Sequence, residues 1–188
     1  MSVHAPTPKN PIRRLGLVAA LMSGFLIFML ASHANARSHG TELVMTVEGY
    51  DPRDIFLGHY AQIRTPLSML DPETLAGDDE FERDQPVFVT LQIGEDGLAR
   101  PVAIHSAHPG TGLVAEGRVD FESGFLHVRF NIERYYADRT DALALQDMLR
   151  GGGPDEDRVR VILSLTRSGR LMIKGFEIDG ERQIDRIW

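Results

Sequence analysis

The sequence contains no cysteine. This absence excludes disulfide bonds, thiolate zinc sites and catalytic thiols. Lysine is nearly as scarce. The 188 residues contain only two, Lys9 and Lys174. A serine nucleophile that depends on a lysine base therefore has one candidate partner, Lys174, beyond the N-terminal segment. A fold without disulfides must be held by its hydrophobic core, and a chain of this length can bury one.

Long apolar runs are absent from the chain except for one near the N-terminus. The run from Leu15 to Ala31 follows Lys9, Arg13 and Arg14, with no acidic residue before it. Its residues rise about 25 Å as a helix, which is close to the lower limit for crossing a bilayer. The basic flank predicts a cytoplasmic N-terminus. The predicted segments are a basic tail (1–14), a transmembrane anchor or signal peptide (15–36) and an exported domain (37–188).

The fate of the apolar segment is open on sequence grounds. Ala34-Asn35-Ala36 fits the small-residue pattern that a signal peptidase reads, which predicts cleavage after Ala36. The apolar run is longer than the core of an ordinary signal peptide, which favours a retained anchor. We expect a single-pass protein of the inner (cytoplasmic) membrane, with its C-terminal domain on the periplasmic side.

The exported part is acidic. Residues 1–36 hold three basic residues and no acid, so the remainder has 17 basic and 27 acidic side chains, a net charge of −10. Such a domain repels phosphate backbones and anionic headgroups. Nucleic acid is therefore excluded from the expected partners.

A period of two dominates the exported part. In the segment Pro86–Ile93, for example, Val87, Val89, Leu91 and Ile93 share one face. Turn signals join such segments into hairpins. The predicted hairpins are Pro86–Ile93 with the strand after the turn at 94–97, Leu113–Phe121 with Phe125–Ile132, and Arg158–Leu165 with Arg170–Ile178. The sequence predicts a mainly β domain, an antiparallel barrel-like or sandwich arrangement.

Two helical elements are predicted within this domain. One short helix covers residues 141–150, with Thr140 or Asp141 as its N-cap and Gly151 after its end. Asp71-Pro72 predicts the start of a further helical turn.

Histidine spacing gives little support for a metal site. His105 and His108 are three residues apart, with His59 or His127 as further ligands, but strand positions three apart face opposite ways. No ordered set of carboxylates accompanies them. The acidic run at 77–84 lacks the spacing of a calcium loop. We predict no metal site and no cofactor.

The stretch GYDPRDIFLGHYAQIR, residues 49–64, carries a family resemblance. Residues 58–64 resemble the motif that names the GDYXXLXY family of membrane-anchored bacterial proteins. The preceding Asp51-Pro52-Arg53-Asp54, the later Ile132-Glu133-Arg134-Tyr135-Tyr136 and the ending GFEIDG (175–180) resemble further segments of that family. The chain departs from the motif at His59, Ile63 and Thr65, where the family has aspartate, leucine and tyrosine.

The resemblance implies a function without a known reaction. Family members resemble accessory proteins encoded near multi-pass membrane proteins, so the resemblance implies an integral-membrane partner and no catalytic residues. The expected motif and binding residues are Asp51, Pro52, Arg53, Asp54, Gly58, His59, Tyr60, Arg64, Glu133, Arg134 and Tyr135.

Turn chemistry predicts how these residues divide their roles. Asp51 and Pro52 suit a tight turn, and Arg53 is expected to help lock it. His59, Tyr60 and Arg64 then supply the surface that the domain presents. Two alternatives remain open: an envelope hydrolase that uses Asp51, Asp54 or His59, and a purely structural spacer at the membrane.

Overall fold

The computed structural model describes residues 11–47, 60–122, 124–136 and 159–185. For residues 60–62 it describes the backbone. The chain divides into two compact units, and the division falls between Ala36 and Arg37.

The first element is helix α1, Pro11–His39. Proline is well suited to a first helical turn, because its missing N–H would have no intrahelical partner there. The helix is longer than the predicted span 15–36, since no proline interrupts the residues between Pro11 and Gly40. From Ile12 to His39 it is long and apolar enough to cross a membrane, and a signal sequence has the same character.

Gly40 forms the whole connection between α1 and the first strand. A Cβ atom at this position would lie 2.1 Å from Ser164 Oγ and 2.8 Å from the Leu165 carbonyl oxygen. The close approach of the two backbones therefore requires glycine at residue 40.

Twelve strands are described in the second unit. Their bounds are β1 Thr41–Thr46, β2 Tyr60–Gln62, β3 Met69–Leu70, β4 Ala76–Gly77, β5 Pro86–Ile93, β6 Ala99–His105, β7 Leu113–Glu122, β8 Leu126–Arg129, β9 Arg134–Tyr136, β10 Val159–Leu165, β11 Leu171–Ile178 and β12 Glu181–Ile184.

These strands form three sheets. One has the order β1-β10-β11-β12, a second has the order β3-β8-β7-β5-β6-β4, and β2 pairs with β9 in a two-stranded sheet. All pairings are antiparallel except that of β4 with β6. The sheets are curled, as in a half-barrel.

One hydrophobic core receives side chains from both larger sheets. Leu43 of β1 and Leu163 of β10 come from the first sheet, and Val89 of β5 and Leu126 of β8 from the second; each is at most 1% exposed. Burial of such aliphatic side chains contributes roughly 1.5–3 kcal/mol each, and no disulfide is needed to hold the sheets together.

The predicted mainly β fold is confirmed, and so are its three hairpins. The face assigned to β5 is correct for Val87, Val89 and Leu91 but not for Ile93, which is exposed. β5 extends beyond β7 at this end and pairs there with β6 alone, so Ile93 has no neighbour on one side.

The predicted helical turn is present as a single turn. The Leu75 N–H donates to the Asp71 carbonyl at 3.1 Å, and the Glu73 N–H donates to Asp71 Oδ1 at 3.0 Å. The helix predicted at 141–150 lies outside the described residues.

Candidate functional site

The strand of the GHYAQIR stretch pairs with the strand that carries the later Arg-Tyr-Tyr. In β2 and β9, Tyr60 lies opposite Tyr136, Ala61 opposite Tyr135 and Gln62 opposite Arg134. Two segments that are far apart in the chain are thus adjacent in the fold.

This pairing extends beyond the two short strands. The Ile63 N–H donates to the Glu133 carbonyl at 2.9 Å, and the Val128 N–H donates to the Ser68 carbonyl at 3.2 Å. β3 then pairs with β8, with Met69 opposite His127. Residues 60–70 and 126–136 therefore form one antiparallel ribbon, which we call the motif ribbon.

The motif ribbon is interrupted at the same place on both strands. Four residues separate Ile63 from Ser68, and four also separate Val128 from Glu133. Since the interruptions are equally long, the register after them is the same as the register before them.

Each interruption is a hydrogen-bonded turn. On one strand the Ser68 N–H donates to the Thr65 carbonyl at 2.9 Å, and the Thr65 N–H donates to Ser68 Oγ at 3.3 Å. On the other strand the Phe130 N–H donates to Glu133 Oε1 at 2.5 Å, and Asn131 has a φ of 61°. Asparagine is among the few residues that tolerate this left-handed backbone.

The odd-numbered residues of the first turn point into the core. Ile63, Thr65 and Leu67 are buried, whereas Arg64 between them is exposed. Thr65 stands where the family motif has tyrosine, and its Oγ1 has no hydrogen-bond partner among the described residues. The substitution therefore leaves a small buried hydroxyl at this position, one that no described neighbour satisfies.

A polar cluster joins the motif ribbon to the start of the second unit. Asp185 accepts a hydrogen bond from Tyr135 Oη at 2.7 Å through Oδ1, and Arg37 Nη2 lies 3.4 Å from its Oδ2. Arg37 also donates to the carbonyls of Ile173 and Lys174, each at 2.9 Å. We call Arg37, Tyr135 and Asp185 the Asp185 cluster.

Packing supports the Asp185 cluster on its inner side. The ring of Tyr135 meets the buried ring of Phe176 edge to face, with the centroids 4.7 Å apart. Edge-to-face pairs of this kind add about 0.5–1.5 kcal/mol beyond the burial of area. Tyr135 is thereby fixed at both ends, by a carboxylate at its hydroxyl and by an aromatic ring at its side.

The predicted site residues fall into four groups. Glu133 and Tyr135 lie within the fold and hold it, while Arg64 and Arg134 are exposed on the motif ribbon. Tyr60 is described by its backbone pairing. Asp51, Pro52, Arg53, Asp54, Gly58 and His59 lie outside the described residues.

Sequence reasoning missed Arg37 and Asp185 as site residues. Neither residue has a local sequence pattern that distinguishes it. The contacts of Arg37 join positions more than 130 residues apart in the chain. A sequence signal for this pair would be an arginine at position 37 and an aspartate at position 185 that occur together in related sequences.

The described ranges contain no group of three or more histidine, aspartate or glutamate side chains that could hold a metal ion. His108 instead packs edge to face on Phe88, with ring centroids 5.3 Å apart, and His127 stacks on Phe121 at 4.0 Å. Among the described site residues, Arg64 and Arg134 are exposed on the motif ribbon, and arginine is enriched at binding hot spots.

Comparison with known proteins identifies the family. No curated protein and no solved structure gives a significant match to the chain. A family model, described as GDYXXLXY protein, matches residues 22–176, and this range includes most of α1, the whole motif ribbon and all of the hairpins except the last two residues of β11. The chain belongs to the GDYXXLXY family.

Proposed function

We propose that this protein is a membrane-anchored accessory module, which binds an integral-membrane partner through its exported β domain. α1 supports the anchor, since its length and composition suit a membrane span. The acidic charge of the domain supports a protein partner over anionic lipid or nucleic acid.

The observation that carries the proposal is the Asp185 cluster. It connects Arg37 to Tyr135 of the motif ribbon through one carboxylate. Arg37 follows the apolar run, which ends at Ala31, by six residues. Even a fully extended chain of this length spans only about 20 Å. With α1 as a retained anchor, the Asp185 cluster is joined to the span by a short stretch of chain, which supports a partner in the same membrane.

Pull-down from cross-linked membranes tests this proposal. The full-length chain is cross-linked in native membranes, solubilised and recovered, and bound proteins are identified. We expect one defined integral-membrane protein. Arg64→Ala should lower its recovery, because exposed arginines are frequent binding hot spots. Arg167→Ala is the matched control, since Arg167 is exposed in the turn after β10, away from the motif ribbon.

The alternatives predict different results. A hydrolase that uses Asp51, Asp54 or His59 predicts an activity that Asp51→Asn abolishes while the recovery of proteins is unchanged. A structural spacer predicts that no defined protein is recovered. The first result would establish catalysis, and the second contradicts the accessory role.

A further inference from the structure

We propose that an exposed apolar surface, shared by one end of the motif ribbon and the neighbouring β7–β8 hairpin, docks an apolar segment of an integral-membrane protein that is confined to the same bilayer. The surface consists of Met69, Phe121, Phe125 and His127, and we call it the aromatic patch. The inference rests on the proposed function and adds to it the docking surface and the chemistry of the partner.

The aromatic patch is a row across three adjacent strands. Met69 of β3 lies opposite His127 of β8, and His127 lies opposite Phe121 of β7. Direct cross-strand partners have their side chains on the same face of a sheet. The rings of Phe121 and His127 are stacked, with centroids 4.0 Å apart and an interplanar angle of 17°. Phe125, two residues before His127, continues the row at the hairpin turn.

These side chains are unusually exposed for their type. Met69 and Phe121 are each 49% exposed and Phe125 is 43% exposed. Their strand neighbours Leu70 and Leu126 are buried in the core, so the two faces of the sheet are both apolar here. The described part of the second unit has six large exposed hydrophobic residues, and the patch holds three of them. The other three are Ile93, Val102 and Ile184.

Paired charges border the aromatic patch. Arg129 lies 3.0 Å from Asp84 and 3.5 Å from Asp120, and Arg118 donates to the Asp84 carbonyl at 3.0 Å. An apolar centre with a polar rim is the usual anatomy of a protein interface, and phenylalanine and methionine are enriched in such centres. Because the rim charges neutralise one another, the patch favours an uncharged, apolar segment in its occupant.

The area of the aromatic patch indicates that its occupant lies in the same membrane as this chain. Half of a large side chain is roughly 100 Å², so the three apolar members offer roughly 300 Å². A stable interface between soluble proteins buries about 800 Å² on each partner. Confinement to one membrane raises the effective concentration of a partner and makes a small patch sufficient. Both proteins are confined to one membrane when α1 spans the bilayer in which the partner is embedded.

Photo-cross-linking in native membranes tests the inference. A photoreactive phenylalanine analogue replaces Phe125 in the full-length chain, and a second chain carries it at Ile93, which is 45% exposed on β5. We expect an adduct from position 125 with a protein that resists alkaline carbonate extraction. Mass spectrometry should place the new bond in an apolar segment of that protein. Position 93 should give no such adduct.

Two further measurements test whether the adduct requires the aromatic patch and whether it requires that both proteins share one membrane. Phe121→Ser in the position-125 chain should lower the adduct yield at least tenfold, and Ile93→Ser should leave it unchanged. Solubilisation in detergent and dilution before irradiation should also lower the yield at least tenfold. An adduct with lipid, with a second copy of this chain or with a soluble protein overturns the inference, and so does an equal yield from position 93.

A third probe at Arg64 separates this inference from the proposed function. Adducts with a membrane protein from position 64 but not from position 125 overturn the aromatic patch and leave the accessory role intact. Absence of a membrane-protein adduct from both positions overturns both.

Discussion

At the scale of single residues, Thr65 separates this chain from its family's motif. The side chain is 3% exposed, and its Oγ1 has no partner in the described part of the structure. A buried hydroxyl without a hydrogen bond costs about 1–3 kcal/mol. The Thr65 hydroxyl is therefore a buried polar group that forms no hydrogen bond within the described residues.

Thr65→Val should raise the free energy of unfolding by about 1 kcal/mol, since valine keeps the shape and removes the unpaired hydroxyl. Urea unfolding of the full-length chain in detergent, followed by circular dichroism, measures it. Ser68→Ala is the control and should lower stability, because Ser68 Oγ accepts the Thr65 N–H. A loss of stability in Thr65→Val would show that the hydroxyl is hydrogen-bonded after all.

Tyr135 and Asp185 should be energetically coupled through their 2.7 Å hydrogen bond. In a double-mutant cycle of Tyr135→Phe and Asp185→Ala, we expect a coupling of about 1 kcal/mol, the usual net contribution of a hydrogen bond. Unfolding midpoints of the four chains give this value. Tyr135→Phe combined with Glu181→Ala, an exposed acid on β12, should be additive. Additivity in the first cycle as well would contradict the Asp185 cluster.

At the scale of elements, Glu133 acts as part of a turn. Its Oε1 accepts the Phe130 N–H where the motif ribbon is interrupted. Glu133→Ala should cost about 1–2 kcal/mol, because the buried N–H loses its acceptor. Glu133→Gln keeps an oxygen in place and should cost less. The same unfolding measurement decides it, and equal losses in the two variants would show that charge matters more than the hydrogen bond.

Glu42 joins three strands of the first sheet and should make their stability depend on pH. Its carboxylate pairs with Lys174 of β11 at 2.7 Å and with Arg182 of β12. These hydrogen bonds lower the pKa of Glu42 below its ordinary value of 4.5. A lowered pKa in the folded state stabilises the fold above the unfolded pKa, and this stabilisation is lost as the pH falls through the folded value.

Melting temperatures of the native chain and Glu42→Gln should therefore differ at pH 7 and converge as the pH falls below 4.5. The native chain should be the more stable at pH 7. Glu80→Gln, at an exposed acid in the loop before β5, should follow the native chain throughout. A difference between the native chain and Glu42→Gln that persists in acid would mean that the Glu42 pairing is not electrostatic.

Local patterns predicted the hairpins but not the motif ribbon. A hairpin such as β10–β11 joins neighbouring segments, so alternation and a glycine turn are enough to indicate it. β2 and β9 have three residues each and pair across about half of the length of the domain. Neither segment has a local sequence pattern that identifies the strand with which it pairs. The pairing results from the packing of the whole domain.

At the scale of the whole molecule, sequence predicted the apolar N-terminal helix and the acidic β domain. Both follow from composition and periodicity, which are summed over many residues. The Asp185 cluster could not be predicted this way, because it depends on the positions of two ends of the chain after folding. The roles proposed for Asp51 and Arg53 stay predictions.

The predicted membrane topology places the N-terminus in the cytoplasm and the C-terminal domain on the exported side. A reporter fused after Trp188 that is active only on the exported side should be active. The chain should sediment with membranes and resist alkaline carbonate extraction, as a retained span does. Deletion of residues 15–31 is the control and should leave the chain in the cytoplasm. A soluble protein whose N-terminus is Arg37 would instead establish cleavage after Ala36.

The opposed turns of the motif ribbon restrict how this chain can change in length. One residue inserted between Thr65 and Ser68 alone would shift the pairing of β3 with β8 against that of β2 with β9, and a shift of one residue turns side chains to the opposite face of a sheet. An equal insertion on the other strand restores both pairings. In related sequences, we therefore expect the two turns to lengthen or shorten together. An insertion or deletion in one turn should be accompanied by an equal one in the other, although the two lie far apart in the gene.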